Sequence, residues 1–212
     1  MNVFIVYAHQ EPKSFNAAMK NFAVDVLTQA NHNVRVSDLY DMNFNPVSGR
    51  HNFSTVKDNN FYEQQVEEMY AYDNDGFALE IKTEMEKIKW CDLLIFQYPL
   101  WWSSIPAILK GWIDRVFAMG FAYGGAKIFD KGVFKGKRAM LSLTTGGPEN
   151  MFRKGSCFGD MNLLLYPVQH GVLEFCGFEV IPPFIAYSVA HLDKESREKY
   201  LSQYKVKLLN IK

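Results

Sequence analysis

The chain has 212 residues, of which 48% are hydrophobic and 15% aromatic, so global disorder is excluded and a substantial core is expected. Lys plus Arg and Asp plus Glu both number 23, which gives a formal net charge of zero. This balance argues against nucleic acid or an anionic membrane as the main partner.

Apolar runs and helical periodicity alternate along the chain. Short, near-continuous apolar runs are typical of parallel strands buried on both faces, and spacings of three and four residues indicate helices. In chain order, we predict strands at 2–7 and 33–39 on either side of a helix at about 14–30, a helix at 80–90, a strand at 92–98, a helix at 104–119, a loop at 120–137, a strand at 138–143, a mostly helical stretch at 160–176, a strand at 177–185 and a last helix at 193–211. This alternation predicts one α/β domain over residues 1–212, a flavodoxin-like three-layer fold with a five-stranded parallel sheet of order 2-1-3-4-5.

Three further features of the sequence make this prediction more specific. The first helix begins after Ser14, a favourable N-cap, and one buried face is predicted to hold Phe15, Ala18, Met19, Phe22 and Val26. Pro167 is expected to break or kink the helical stretch that contains it. Residues 41–80 show no clear pattern beyond moderate helicity at 61–72, and so long a segment is usually functional or interfacial.

Targeting and thiol signals favour the cytoplasm. No stretch approaches ~20 uninterrupted apolar residues, and no basic leader precedes the first strand, so neither an integral membrane segment nor a signal peptide is expected. Cys91, Cys157 and Cys176 have no CxxC spacing, which favours reduced thiols over a disulfide framework.

The strands at 2–7, 92–98 and 138–143 each lead into an unusual turn. We call these the His9 turn (residues 9–16), the tryptophan turn (99–106) and the glycine turn (144–149). Turns after parallel strands gather at the carboxyl edge of the sheet, where open α/β folds bind ligands.

The His9 turn matches neither GxGxxG nor the P-loop pattern. It offers His9, Ser14 and Asn16 as donors beside a helix N-terminus, which favours an anion such as phosphate. The alternative is that Ser14 only caps the helix and His9 is an ordinary, satisfied turn residue.

The tryptophan turn places Trp101 and Trp102 at a strand end, where large apolar side chains are not usually left in water. Flat indole walls suit a flat ring system, and backbone groups of Leu100 and Trp102 can hydrogen-bond in its plane. Core packing or a dimer interface is the alternative.

The glycine turn, Thr144-Thr145-Gly146-Gly147, is rich in unobstructed backbone donors. Such donors stabilise developing negative charge, as on a reduced flavin. Alone, this sequence is most often only a turn. Together, the three turns supply groups for phosphate, for a flat ring and for an anion, which predicts a flavin nucleotide site.

Five segments of the chain resemble the NAD(P)H:quinone oxidoreductases, the family of DT-diaphorase. They are residues 6–16 (VYAHQEPKSFN), 96–102 (FQYPLWW), 105–112 (IPAILKGW), 144–147 (TTGG) and 169–171 (QHG). The similarity extends from residue 2 to about 205. It implies a flavodoxin-like homodimer that binds FAD, with FMN as the less expected flavin, and that uses NAD(P)H.

The resemblance also implies roles for individual residues. His9, Ser14, Phe15 and Asn16 would hold the diphosphate, whereas the ring would be held by Pro99, Leu100, Trp101, Trp102, Ser103, Thr144, Thr145, Gly146 and Gly147. Arg197 and Leu201 match adenine-side positions, which favours FAD. Trp102 and Phe152 would also line the substrate pocket, and Tyr123 and Phe175 would close it from the second subunit.

Two departures from the family pattern change what the resemblance implies. Phe152 and Phe158 stand where the best-known members carry a Tyr and a His thought to relay charge, and Phe can neither donate a hydrogen bond nor accept a proton. Gly125 replaces a second aromatic residue of the substrate lid, so a more open pocket is expected.

The sequence therefore predicts an enzyme that reduces quinones or similar flat, small-molecule acceptors by two electrons, in ping-pong hydride transfer through flavin N5. Gly146 and Gly147 are the residues expected to assist catalysis, and no metal is expected, because His170 and Glu174 have no third ligand. The alternative is a flavin-binding ancillary subunit of a membrane transporter, such as a potassium-efflux system, which needs the same flavin site.

Overall fold

The computed structural model describes residues 1–211, and its centre is a single parallel sheet of six strands. The strands are β1 (Asn2–Tyr7), β2 (Asn33–Asp38), β3 (Leu93–Pro99), β4 (Arg138–Thr144), β5 (Glu179–Val180) and β6 (Phe184–Ala186). The helices are α1 (Phe15–Gln29), α2 (Gln64–Asp73), α3 (Leu79–Trp90), α4 (Ala107–Val116), α5 (Met161–Val168) and α6 (Lys194–Leu209). The strand order β2-β1-β3-β4-β5, with β6 also paired to β4, confirms the predicted flavodoxin-like topology.

Successive strand residues point to opposite faces, and each face is covered by helices. Val3 and Ile5 of β1 pack in one core with α1 and α6. Phe4 and Val6 pack in the other, larger core, to which α3, α4 and α5 contribute. The result is the predicted three-layer arrangement, in which β1, β3 and β4 lie in the middle of the sheet.

Several predicted boundaries differ from the structure for identifiable reasons. The last strand, predicted at 177–185, is two short strands, because Pro182 and Pro183 between them have no N–H to donate to the sheet. The helix predicted at 104–119 begins only at Ala107, after the extended Pro106. In α1, Ala18 is exposed rather than buried.

Other details of the sequence prediction are confirmed. Ser14 caps α1 by accepting a hydrogen bond from the Ala17 amide. The regular helix that contains Pro167 ends at Val168 and continues as a π-helical turn, Gln169–Glu174. Within residues 1–211, no helix combines the length and the apolar character needed to cross a bilayer.

Residues 41–53, which have no strong sequence pattern, are fixed on α4 by the buried Arg115. Its guanidinium donates to Asn52 Oδ1 at 2.7 Å and to the Asn45 carbonyl at 2.6 Å, and it pairs with Glu80. The same loop can approach α4 closely because Gly111 has no side chain. A Cβ at position 111 would lie 2.2 Å from the Pro46 carbonyl oxygen. The loop is therefore held by tertiary contacts rather than by local propensity.

We predict that Gly111→Ala lowers the free energy of unfolding by roughly 1–3 kcal/mol, because the new methyl group overlaps a rigid backbone. Gly171→Ala is the matched control: it is also a helical glycine, but a Cβ there would meet nothing within 4 Å. Urea denaturation of both variants measures the difference. Equal stability of the two variants would contradict the proposed fit between this loop and α4.

Candidate functional site

The three turns meet at the carboxyl edge of the sheet through one buried hydrogen-bond network. The Asn16 side chain donates from Nδ2 to Thr144 Oγ1 at 2.6 Å and accepts at Oδ1 from Gln97 Nε2 at 2.6 Å. All three residues are buried. Asn16 belongs to the His9 turn and Thr144 to the glycine turn, while Gln97 lies on β3 just before the tryptophan turn, so the network fixes the turns relative to one another.

His9 can donate a hydrogen bond from Nε2, the ring nitrogen that does not contact its own loop. Its Nδ1 lies 3.0 Å from the Glu11 amide and accepts that hydrogen bond, which leaves the ring proton on Nε2. Burial, partly offset by the Glu11 carboxylate, lowers the pKa of His9 and favours this neutral form. Ser14 does cap α1, but a hydroxyl that accepts from the Ala17 amide still has its own O–H to donate.

The tryptophan turn is held in an unfavourable backbone conformation. Trp101 and Ser104 exchange two backbone hydrogen bonds of 3.0 Å, and both residues between them, Trp102 and Ser103, have positive φ angles of 50° and 58°. Non-glycine residues in this region cost free energy and are concentrated at functional sites.

The two indoles of this turn have different environments. Trp101 packs against the His9 ring, with ring centroids 5.8 Å apart. Trp102 is 100% exposed, so core packing does not explain it. Both faces of this indole are therefore open to a ligand or to a second protein surface.

The glycine turn has two backbone donors without a partner, and the one at Gly146 borders open space. Its Gly147 carbonyl is held inward by Thr145 Oγ1 at 2.7 Å and by the Ser188 amide at 3.1 Å. Among residues 1–211, no acceptor takes the amide hydrogen of Gly146 or Gly147. A Cβ on Gly146 would meet nothing within 4 Å, so a flat group can approach this amide closely.

Phe152 and Phe158 close the other side of the glycine turn. Their rings pack together with centroids 5.1 Å apart, and a Cβ on Gly147 would lie 2.8 Å from the Phe158 ring and 3.3 Å from that of Phe152. Phe152 is buried, and Phe158 is 44% exposed. The structure thus places an apolar surface, with no proton donor, directly beside the two free amides.

Arg197 and Leu201 of α6 lie on the far side of the His9 turn. The Arg197 guanidinium lies 5.9 Å from the centre of the Phe15 ring and donates to the Val189 carbonyl at 3.4 Å. Leu201 packs against the core between α1 and α6. Phe15 is buried, whereas Arg197 is exposed and Leu201 half-buried, so the surface at this point is formed by a guanidinium and an aliphatic side chain. A flat heterocycle can stack on an exposed guanidinium.

Tyr123 and Phe175 form a separate group. Their ring centroids are 5.8 Å apart, and both line a cavity of ≈ 340 Å³ together with Glu68, Phe117 and Val172. Within the described chain, no hydrogen bond or aromatic pair connects either ring to the tryptophan turn or the glycine turn. Tyr123 and Phe175 therefore form a group of their own around this cavity.

Sequence reasoning missed Gln97 and Glu68. Gln97 had a usable signal, since it is the single amide in the otherwise apolar run Leu93–Tyr98, and such a buried polar group needs partners. Glu68 had none, because the acidic residues of α2 look like an ordinary solvated helix face.

Comparison with known proteins agrees with this architecture. A family described as having the flavodoxin-like fold matches residues 1–208. A solved protein from Klebsiella pneumoniae superposes with a TM-score of 0.97 at 38% identity, covering 100% of this chain and 85% of that one.

Two curated relatives are similar over nearly the whole chain. NAD(P)H dehydrogenase (quinone) 1 of Cavia porcellus is 45% identical over 208 residues, 98% of this chain and 76% of that protein. Human ribosyldihydronicotinamide dehydrogenase (quinone) is 43% identical over 210 residues, 99% of this chain and 91% of that protein. With its flavodoxin-like fold, the chain belongs to the NAD(P)H:quinone oxidoreductase family of enzymes.

We predict that His9 titrates below the ordinary histidine value of about 6.5 and that its neutral ring carries the proton on Nε2, because burial disfavours the cation and the Glu11 amide occupies Nδ1. Long-range ¹H–¹⁵N NMR spectra across a pH titration report both properties, and His9→Gln assigns the signals. A midpoint at or above 6.5, or a proton on Nδ1, would contradict the described site.

Proposed function

We propose that this protein binds FAD at the three turns and uses NAD(P)H to reduce quinones or similar flat acceptors by two electrons in a ping-pong cycle. The observation that carries the proposal is the pair of unpaired amides on Gly146 and Gly147, of which Gly146 borders open space, in a turn joined through Asn16 to a helix N-terminus. The relatives' quinone reductase names support the reaction type.

The residues fit a flavin in each of its parts. His9 Nε2, the Ser14 hydroxyl and the start of α1, at Phe15 and Asn16, suit the diphosphate. Pro99 to Ser103, with the exposed indole of Trp102, suit one side and edge of the ring. Thr144 to Gly147 suit its anionic edge.

A bound flavin supplies the hydride chemistry, which protein side chains cannot perform. The protein's contribution is orientation and electrostatics. The Gly146 and Gly147 amides stabilise negative charge at the ring edge, and their geometry is fixed in advance by the two hydrogen bonds to the Gly147 carbonyl. Phe152 and Phe158 exclude water from that edge without supplying a proton.

The surface formed by Arg197 and Leu201 favours FAD over FMN. FMN ends at its phosphate and needs nothing beyond the His9 turn, whereas FAD carries an adenine that needs a surface past the diphosphate. The exposed guanidinium of Arg197, together with Leu201, offers one.

We also propose a homodimer in the cytoplasm. In such a dimer Tyr123 and Phe175 close the substrate pocket of the other subunit, which agrees with their lack of contact with the three turns. Large apolar side chains left exposed on one chain, such as Phe61, Leu163 and Trp102, are consistent with a partner surface. Reduced cysteines fit a cytoplasmic location: burial raises the pKa of Cys91 to about 11 and that of Cys176 to about 12, so both remain unreactive thiols.

We predict that purified protein is yellow and that heat releases FAD. Gly146→Ala should weaken flavin binding about tenfold or more, because its methyl group enters the space for the ring, while the flavin-free protein keeps its stability within about 0.5 kcal/mol. Gly147→Val should also disturb the flavin, by displacing Phe158. Cys157→Ala is the control, since this exposed thiol makes no proposed contact.

Chromatography of the released flavin and titration of flavin-free protein measure these effects. Colourless protein that takes up neither FAD nor FMN would overturn the site, and FMN alone would overturn the role of Arg197 and Leu201. Initial rates of NAD(P)H oxidation with a panel of quinones test the reaction, with parallel double-reciprocal lines expected. Flavin-loaded protein that turns over no acceptor would instead favour an ancillary subunit of a transporter.

Phe152→Tyr tests the apolar side of the glycine turn. A phenol there can donate a hydrogen bond worth about 0.5–1.5 kcal/mol to a reduced ring or an acceptor oxygen, which changes a rate by roughly two- to tenfold. We expect altered acceptor turnover with nearly unchanged flavin occupancy, measured by stopped-flow kinetics of each half-reaction. Unchanged rates with lost stability would mean that the Phe152 ring faces away from the flavin and buries an unpaired hydroxyl.

A further inference from the structure

Helix α2 holds the loop that carries Tyr123 at three points. Glu68 Oε2 accepts a hydrogen bond from the Met119 amide at 2.7 Å, and Gln65 Nε2 donates to the Tyr123 hydroxyl at 3.1 Å. Between them, Gly120, with φ +88°, lies against Tyr72, whose Cβ would be 2.8 Å from a Cβ at position 120. One short helix thus contacts both ends and the middle of residues 119–123.

Internal hydrogen bonds tie the Met119 end of this loop to Tyr123. The Gly120 amide donates to the Tyr123 carbonyl at 2.8 Å, and the Ala122 amide donates to the Ala118 carbonyl at 2.9 Å. Such short internal bonds make the loop a compact unit. Its Tyr123 ring then meets Phe175 at the cavity of ≈ 340 Å³ that Glu68 also lines.

Burying the carboxyl group of Glu68 costs free energy that a purely structural role does not explain. The residue is only 3% exposed, and burial raises the pKa of its carboxyl group despite hydrogen bonds from the Met119 amide and from Gln64 Nε2. A buried carboxylate usually stabilises a fold less than an apolar side chain of similar size does. What the carboxylate supplies here, and an apolar side chain would not, is a fixed acceptor for the Met119 amide.

The adjacent Glu67 provides a comparison within the same helix. It is equally buried, but its oxygens accept hydrogen bonds from the Lys57 amide at 2.8 Å and the Asp58 amide at 3.1 Å. Neighbouring carboxylates therefore hold two different loops, and only that of Glu68 leads to Tyr123.

We propose that Glu68 is a positioning residue that fixes Tyr123 at the mouth of the acceptor pocket and thereby determines the affinity for flat acceptors. The inference rests on the proposed quinone reduction, because Tyr123 is assigned to the acceptor pocket there. Glu68 acts through the loop and does not touch the acceptor.

The test uses flavin-loaded, full-length protein and the variants Glu68→Ala, Glu68→Gln and Glu67→Ala. Glu68→Ala should raise KM for a quinone about tenfold while kcat changes less than about twofold, because acceptor placement and not chemistry is affected. Glu68→Gln retains an acceptor for the Met119 amide and should restore KM to within about threefold. Glu67→Ala should lose comparable stability and leave the quinone KM unchanged.

Hydrogen exchange provides a readout that does not depend on activity. Exchange at the Met119 and Gly120 amides should accelerate about tenfold or more in Glu68→Ala, but not in Glu67→Ala. If Glu68→Ala does not fold, the exposed Gln65→Ala, which removes the bond to the Tyr123 hydroxyl, should still raise KM by about two- to threefold.

An unchanged KM in Glu68→Ala, an equal KM increase in Glu67→Ala, or unchanged exchange at residues 119–123 would overturn the proposal. If Glu68→Ala is unfolded, an unchanged KM in Gln65→Ala would do the same. Wild-type protein without any quinone turnover would instead refute the proposed function, and the exchange measurements would then decide alone whether Glu68 holds the loop.

Discussion

The arrangement of the candidate site depends on the Asn16 side-chain amide, which joins the start of α1 to β3 and β4. Both polar atoms of this amide are hydrogen-bonded: Nδ2 donates to Thr144, and Oδ1 accepts from Gln97. Leaving such buried partners unsatisfied costs about 1–3 kcal/mol, so the strand ends cannot shift independently. The glycine turn and the His9 turn are therefore placed by the interior of the fold and not by their own loops.

The apolar edge of the glycine turn sets a second constraint. Gly147 must lack a side chain because Phe158 fills the space beside it, whereas Gly146 faces open space. The same Thr-Thr-Gly-Gly sequence thus contains one glycine required by the packing of Phe158 and one at which the fold leaves room for a side chain. Because the Phe pair provides no donor at this edge, the proposed flavin would rely on the backbone amides of Gly146 and Gly147 there.

Much of this fold could be predicted from the sequence, because its strands are buried on both faces and so appear as short apolar runs. β1 coincides with its predicted limits, and the capping role of Ser14 follows from local chemistry. The loop at 41–53 could not be predicted, because Arg115, over sixty residues away in sequence, holds it in place. For the site, strand ends identified the three turns, but the pairing of Asn16 with Gln97 and the support of Tyr123 by α2 arise only in three dimensions.

The left-handed pair Trp102–Ser103 also has a consequence for how the sequence can change. Asn-Gly would adopt this tight turn with less strain, and each non-glycine residue in such a region costs of order 1–3 kcal/mol. A search for sequences of greater thermal stability would therefore favour replacing these two residues. Under the proposed function the Trp102 indole contacts the flavin, so selection for stability and selection for function oppose each other at this turn.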